Sequence, residues 1–290
     1  MGNPVFDNSV IFRDPTKARK KSGRAQPVAQ QQVQQPGMVQ QPGMTGGYDA
    51  AALNRMYDAP SATTAQTGRM TYDDVIVKTG CLLTVVVVMA ALTWFMVPVD
   101  LMMPVMVLGA LVGFVLGMVN SFKRSPSPAL ILAYAVAEGV FVGAISNAFS
   151  GMFHGGVVPQ AVLATTATFA ACLVLFRSGR VRVTPKFTRW LLVAMVGYLA
   201  FSLVNVVLMF LNVGGGQFGP LRGGTIGVLV GLFAVGLASA MLIVDFDSIK
   251  RGVEQGVPAK IAWTAAFGLV VTLVWMYLEF LRIAAILSRN

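Results

Sequence analysis

The chain has 290 residues, of which 56% are hydrophobic and only 12% are charged. A soluble domain usually carries about 25% charged residues, so this composition indicates a protein that is embedded in a lipid bilayer. The formal net charge of +10 does not indicate a nucleic-acid-binding protein, because the basic residues lie mainly between long apolar segments. The chain has one histidine and two cysteines, which argues against histidine-based catalysis and against a disulfide framework. We therefore expect neither an enzyme nor a bound cofactor.

The first 74 residues differ in composition from the rest of the chain. They are rich in Gln, Pro and Gly, and the hexapeptide VQQPGM at residues 33–38 is repeated at residues 39–44. Such a segment buries too little apolar surface to offset the entropy lost on ordering. The sequence therefore predicts a disordered, cytoplasmic N-terminal tail at residues 1–74, followed by a membrane domain at residues 75–290.

The membrane domain contains seven apolar segments of about 20 residues, each long enough to cross a hydrocarbon core of roughly 30 Å as a helix. The predicted spans are 75–98, 101–121, 129–150, 157–177, 188–212, 224–249 and 263–287. The connections are short, so consecutive helices should be antiparallel, and the patterning of a β-barrel is absent. The predicted fold class is therefore all-α, a seven-helix transmembrane bundle that contacts the lipid bilayer.

Lysine and arginine in the connections predict the orientation of the bundle, because basic loops are retained in the cytoplasm. The connections near residues 123, 180 and 255 are basic. Those near residues 98, 154 and 217 contain a single lysine or arginine, Arg222. This pattern predicts a cytoplasmic N-terminus and an external C-terminus. Glycines four residues apart, such as Gly139 and Gly143, predict close helix packing.

Four acidic side chains fall in or near the predicted spans: Glu138, Asp245, Asp247 and Glu279. A carboxylate at mid-bilayer costs about 2.5–3.5 kcal/mol on insertion scales, so acids at this depth are candidates for function. Asp247 can pair with Lys250 or Arg251 one turn later, which favours an ordinary interfacial ion pair. Asp245 and Glu279 remain as the main candidates, with Glu138, Asp247, Arg282 and Arg289 as supporting charges.

Two arrangements of Glu279 are compatible with the sequence. Glu279 can pair locally with Arg282 at i+3, which would be a structural device. Alternatively it can converge with Asp245, and two close carboxylates would then share one proton or bind a cation such as calcium transiently. Convergence requires that the seventh span starts later than Ile261, because a straight helix from Ile261 separates the two acids by roughly 20 Å in depth.

Three segments resemble the Bax inhibitor-1 family, also called the TMBIM or YccA-like family. They are SPALILAYAVAEGVFVGAIS at Ser127–Ser146, LIVDFDSIKRG at Leu242–Gly252 and WMYLEFLRIAAIL at Trp275–Leu287. The resemblance covers about residues 75–290 and is closest to the bacterial branch with a long N-terminal extension. It implies that Asp245 and Glu279 form a proton-sensitive pair that closes a calcium-permeable path.

The resemblance also implies two kinds of function. The first is a pH-dependent calcium or cation leak with Asp245 and Glu279 as gate and pH sensor. The second is a non-transporting regulator that binds other membrane proteins or a membrane protease. The sequence departs from the family pattern in two places: Glu279 replaces the usual aspartate, and the second helix lacks an acid found in some relatives. We hypothesise that Glu138 supplies that missing charge.

Overall fold

The computed structural model describes residues 68–123, 125–153, 156–179, 183–211, 213 and 218–288. Within these residues the chain forms seven α-helices and one isolated antiparallel bridge. The helices are α1 Tyr72–Met96, α2 Val99–Phe122, α3 Pro128–Met152, α4 Val157–Arg177, α5 Pro185–Phe210, α6 Gly224–Glu254 and α7 Ile261–Leu287. All seven are long and apolar enough to cross a membrane. The predicted seven-helix fold is confirmed, whereas the disordered tail falls almost entirely on residues 1–67, outside the described part.

Local signals set several of the helix starts. Thr71 and Asp74 form a reciprocal capping box at the start of α1. The Thr184 hydroxyl accepts the backbone N–H of Phe187, and Pro185 occupies the first turn of α5, where its missing N–H costs nothing. Because one side of the bundle contains the start of α1 and the basic ends of α2, α4 and α6, we call it the basic side.

Helix α7 occupies the centre of the bundle. It packs against α1, α3, α4 and α6, and most of its side chains are buried, as expected for a helix that is apolar on every face. Helix α2 packs mainly on α3, and α5 packs mainly on α6 through Leu191, Leu237 and Val244. The apolar residues exposed on the outer helices form the surface that contacts lipid.

Glycine allows two helix pairs to approach closely, as the spacing of the glycines predicts. A Cβ atom on Gly139 would lie 2.6 Å from the carbonyl oxygen of Val86, and one on Gly143 would collide with the backbone of Ala90. Both contacts join α3 to α1. On α6, a Cβ atom on Gly231 would lie 2.6 Å from the Ile283 side chain of α7. In lipid, such close approach supplies dispersion contacts in place of a hydrophobic driving force.

Residues 68–71 form a strap that binds the start of α1 to the turn between α6 and α7. The Met70 N–H donates to the Val257 carbonyl at 2.7 Å, and the Ala259 N–H donates to the Gly68 carbonyl at 2.9 Å. The Met70 side chain is buried against Gly252, where an added Cβ would lie 2.7 Å from its Cε. Residues 68–74 were assigned to the tail from sequence, yet they belong structurally to the helical bundle.

Replacing Gly143 with alanine should destabilise the protein, because the new methyl group meets backbone atoms that cannot rotate away. We expect a loss of about 1–3 kcal/mol, measured by titrating the purified protein with SDS in mixed micelles. Gly197→Ala is the matched control, since its Cβ would meet nothing within 4 Å. Equal stability of the two variants would contradict the proposed α1–α3 contact.

Candidate functional site

Asp245 lies in a polar cavity that reaches the basic side of the bundle, which we call the vestibule. The cavity has a volume of about 740 Å³. Its polar lining residues are Asn120, Ser121, Lys123, Asp245, Ser248, Arg251, Gln255 and Thr264. Met70 of the strap and Val257 of the α6–α7 turn also line the vestibule. The strap, residues 68–71, therefore lines the same cavity as Asp245.

A threonine of the central helix holds the Asp245 carboxylate. The Thr272 hydroxyl lies 3.0 Å from Asp245 Oδ2 and 3.1 Å from the Gly268 carbonyl oxygen. A hydroxyl has one proton, so Thr272 can donate to only one of these acceptors at a time. An ionised Asp245 accepts that proton, whereas a protonated Asp245 can itself donate to Thr272 Oγ while Thr272 donates to Gly268. Thr272 can therefore satisfy both charge states of Asp245.

Glu279 lies in a separate group of polar side chains, which we call the arginine cluster: Glu279 and Arg282 of α7, Tyr198 and Ser202 of α5, and Arg222, which precedes α6. Glu279 Oε2 lies 2.5 Å from Arg282 Nη2, although the groups lack the alignment of a hydrogen bond. Glu279 Oε1 lies 4.0 Å from Arg222 Nη1 and accepts the Tyr198 hydroxyl. Glu279 and Arg282 are only 5% and 6% exposed.

The backbone before α6 places Arg222 in the arginine cluster. The Asn205 side chain donates to the Phe218 carbonyl at 2.9 Å and accepts the Leu221 N–H at 3.1 Å. Gly219 has a φ of +82°, a conformation that glycine adopts without strain. Arg222 then donates to Ser202 and, at 2.8 Å, to Tyr198. Its guanidinium also lies over the Tyr198 ring, 5.1 Å from the ring centre.

Sequence reasoning missed Tyr198 and Arg222 as partners of Glu279. Neither residue is close to Glu279 in the chain, and the apolar pattern of α5 does not mark Tyr198. Arg222 did carry a signal, because it is the single basic residue predicted on the side with few charges. A cation on that side has no topological role under the positive-inside rule, so an intramembrane acid is an expected partner.

The predicted convergence of Asp245 and Glu279 is wrong for this structure. Asp245 contacts Thr272, which precedes Glu279 by seven residues in the same helix. Seven residues correspond to about 10 Å of rise and almost two complete turns, so the two acids lie along one face of α7 without touching. Helix α7 is continuous from Ile261, which excludes the later start that convergence required.

The predicted separation of roughly 20 Å is also too large, because helix α6 continues to Glu254. Asp245 thus lies nine residues, or about 14 Å, from the end of α6 rather than one turn. The local Glu279–Arg282 ion pair, which was the alternative arrangement, is present.

Glu138 lines a different cavity of about 490 Å³ between α2, α3 and α7. Gly113 of α2 faces it, since an added Cβ would lie 2.9 Å from Glu138 Oε2. Phe267 lines both this cavity and the vestibule, and its ring packs edge-on against Tyr134 at 4.9 Å. Glu138 therefore faces the second helix, where the missing acid was expected, but its proposed role stays a prediction.

The remaining predicted charges have simpler positions. Asp247 pairs with Arg251 at 2.8 Å, as the spacing of four residues predicted. Arg289 lies outside the described residues. Within the described part of the chain, no three His, Cys, Asp or Glu side chains are grouped closely enough to hold a metal ion together. The transient calcium site predicted at Asp245 and Glu279 stays a prediction.

Glu279→Gln should destabilise the protein far more than Asp247→Asn. The first substitution leaves the buried Arg282 and the half-buried Arg222 without a counter-charge and should cost about 3–5 kcal/mol. The second breaks a pair whose Arg251 side chain is 54% exposed, and such pairs contribute about 0–1 kcal/mol. SDS titration of both variants measures the difference. Adding Arg282→Gln to Glu279→Gln should recover part of the loss, because it removes one of the two unbalanced charges.

Comparison with known families agrees with this architecture. The family model described as Bax inhibitor 1 like matches residues 3–289, nearly the whole chain. No curated protein matches the chain directly. The match includes the N-terminal segment as well as the seven helices, whereas the resemblance read from the motifs began near residue 75. The chain therefore belongs to the Bax inhibitor 1 like family of seven-helix membrane proteins.

Proposed function

We propose that this protein is a pH-sensitive cation leak in a bacterial cytoplasmic membrane, that calcium is its candidate ion, and that it is not an enzyme. The observation that carries the proposal is the placement of two acids along one face of the central helix. Asp245 lies in a vestibule that reaches the basic side, and Glu279 lies two turns further along α7. With the N-terminus in the cytoplasm, the vestibule is the cytoplasmic entrance.

The path between the two acids is closed in this conformation. Met276 lies between Thr272 and Glu279 in the helix register and is fully buried. Arg222 and Arg282 add two positive charges at Glu279, which oppose the passage of a cation. A cation at Asp245 would meet one carboxylate and a few hydroxyl oxygens such as that of Thr272, too few ligands for tight calcium binding. This ligand set suits passage rather than storage.

The charge of Glu279 holds the closed conformation together. The ionised carboxylate holds Arg282, Arg222 and Tyr198 together from three parts of the chain. A proton removes its charge, so the two guanidinium groups repel each other and the cluster is weakened. Falling pH should therefore favour separation of α5 and the Arg222 segment from α7, and rising pH should favour the closed cluster.

Calcium flux into liposomes between about pH 5 and pH 8 tests the leak. We expect native flux to rise as the pH falls, as proposed for a gate and pH sensor formed by Asp245 and Glu279. Glu279→Gln should give a high flux that no longer depends on pH, and Asp245→Asn should lower the flux at every pH by removing the vestibule carboxylate. Asp247→Asn, which alters only an interfacial pair, should behave as the native protein.

Native flux no greater than that of empty liposomes, from protein that remains monodisperse on size exclusion, would contradict the leak. Tyr198→Phe is a milder companion to Glu279→Gln, because it removes one hydrogen bond to Glu279 and leaves every charge in place. It should raise the flux above that of the native protein, but by less than Glu279→Gln does.

The second candidate is a regulator that binds other membrane proteins through its N-terminal segment. The strap favours this candidate, because residues 68–71 connect that segment directly to the wall of the vestibule. A partner bound to the segment would thus act on the part of the bundle that contains Asp245. The two candidates differ in whether flux needs the segment at all.

Deletion of residues 2–60 separates the two candidates, since it leaves the strap and all seven helices intact. A leak carried by the bundle should keep its flux within about twofold of native. Loss of flux would contradict a leak that depends on the bundle alone. The regulator would be favoured if the deletion abolished partner binding in a membrane pull-down while the flux stayed at the native level. It would also be favoured if binding were lost and the native protein itself showed no flux.

A further inference from the structure

The arginine cluster contains more positive than negative charge. Its charged groups are the Arg222 and Arg282 guanidiniums and the Glu279 carboxylate, and Arg222 and Arg282 form no ion pair with any other described acid. Arginine stays protonated in proteins, so neither guanidinium can lose its charge to relieve the imbalance. The cluster therefore has a net charge of +1 whenever Glu279 is ionised.

This excess charge is only partly hydrogen-bonded, and it lies on one buried and one half-buried arginine, Arg282 and Arg222. Arg282 is 6% exposed and lies beside Glu279 and Tyr198, but its Nε, Nη1 and Nη2 atoms are buried without a well-aligned hydrogen bond. Arg222 Nε is buried and unpartnered in the same way. A buried charge without a partner costs several kcal/mol in a low-dielectric environment, and buried guanidinium N–H groups require acceptors. The cluster thus lacks one negative charge and several hydrogen-bond acceptors.

We infer that the arginine cluster binds a small monovalent anion between Arg222 and Arg282. An anion supplies the missing charge and the missing acceptors together, whereas a cation would increase the imbalance. Close packing limits its size, because Gly231 is so near that an added Cβ would lie 3.3 Å from Arg282 Nη2. The chemistry fits a halide from solution or the single negative charge of a phosphodiester headgroup. The inference depends on the net charge of the cluster and on the burial of its guanidinium groups, and it does not require the protein to be a cation leak.

Thermal unfolding in an uncharged detergent tests for the anion. We expect the native protein to unfold about 3–6 °C higher in sodium chloride than in sodium gluconate of equal ionic strength, if chloride is about tenfold above its Kd. Adding phosphatidylglycerol to the gluconate sample identifies the source. Stabilisation by chloride indicates a halide, and stabilisation by phosphatidylglycerol but not by phosphatidylcholine indicates a lipid headgroup.

Ser202→Asp provides an internal test of the charge argument. The Ser202 hydroxyl accepts a hydrogen bond from Arg222 Nη2, so a carboxylate at this position would supply the missing negative charge and keep both arginines. The variant should lose the chloride or lipid dependence and match, in gluconate alone, the midpoint of the anion-bound native protein. Arg222→Gln should also lose the dependence, and Arg222→Lys should retain it.

Arg189→Gln is the matched control, because it removes an exposed arginine from the other end of α5. It should keep the full anion dependence of the native protein. A native midpoint that is equal in chloride, in gluconate and with phosphatidylglycerol would overturn the inference and leave water as the source of the acceptors. Retention of the anion dependence in a folded Ser202→Asp variant would overturn it as well.

Discussion

The ion pair between Glu279 and Arg282 in the centre of the bundle is the interaction on which the rest of the arrangement depends. A carboxylate in the membrane is tolerated only when protein groups replace the water that it has lost. Three groups replace the lost water around Glu279. Arg282 pairs with it from the same helix, the Tyr198 hydroxyl of α5 donates to it, and Arg222 of the segment before α6 lies beside it. One buried acid thus joins three parts of the chain that apolar packing alone would hold weakly.

The central position of α7 follows from its sequence and from its neighbours. Most of its side chains are apolar, and the glycines of α6 leave room for the α7 side chains Ile283 and Ile286. Two polar regions lie along one face of this helix, the vestibule at Asp245 and the arginine cluster at Glu279. Buried Met276 lies between them in the helix register.

Charge balance connects the proposed leak with the proposed anion site. The ionised cluster has a charge of +1, an anion lowers it to zero, and a proton on Glu279 raises it to +2. An anion and a proton therefore act on the closed conformation in opposite directions, the first stabilising it and the second weakening it. A buried group of charges whose balance changes by single units is suited to a switch between two packings of the same helices.

The sequence alone determined the seven spans, because each needs about 20 apolar residues and the bilayer imposes that length. It also offered the local pairs Asp247–Arg251 and Glu279–Arg282, each as one of two alternatives, since helix geometry brings residues three or four apart into contact. Only the tertiary structure decided that Asp245 contacts Thr272 and that Glu279 contacts Tyr198 and Arg222. Those contacts depend on the relative depth and rotation of separate helices, which hydropathy does not encode because every apolar face is equally soluble in lipid.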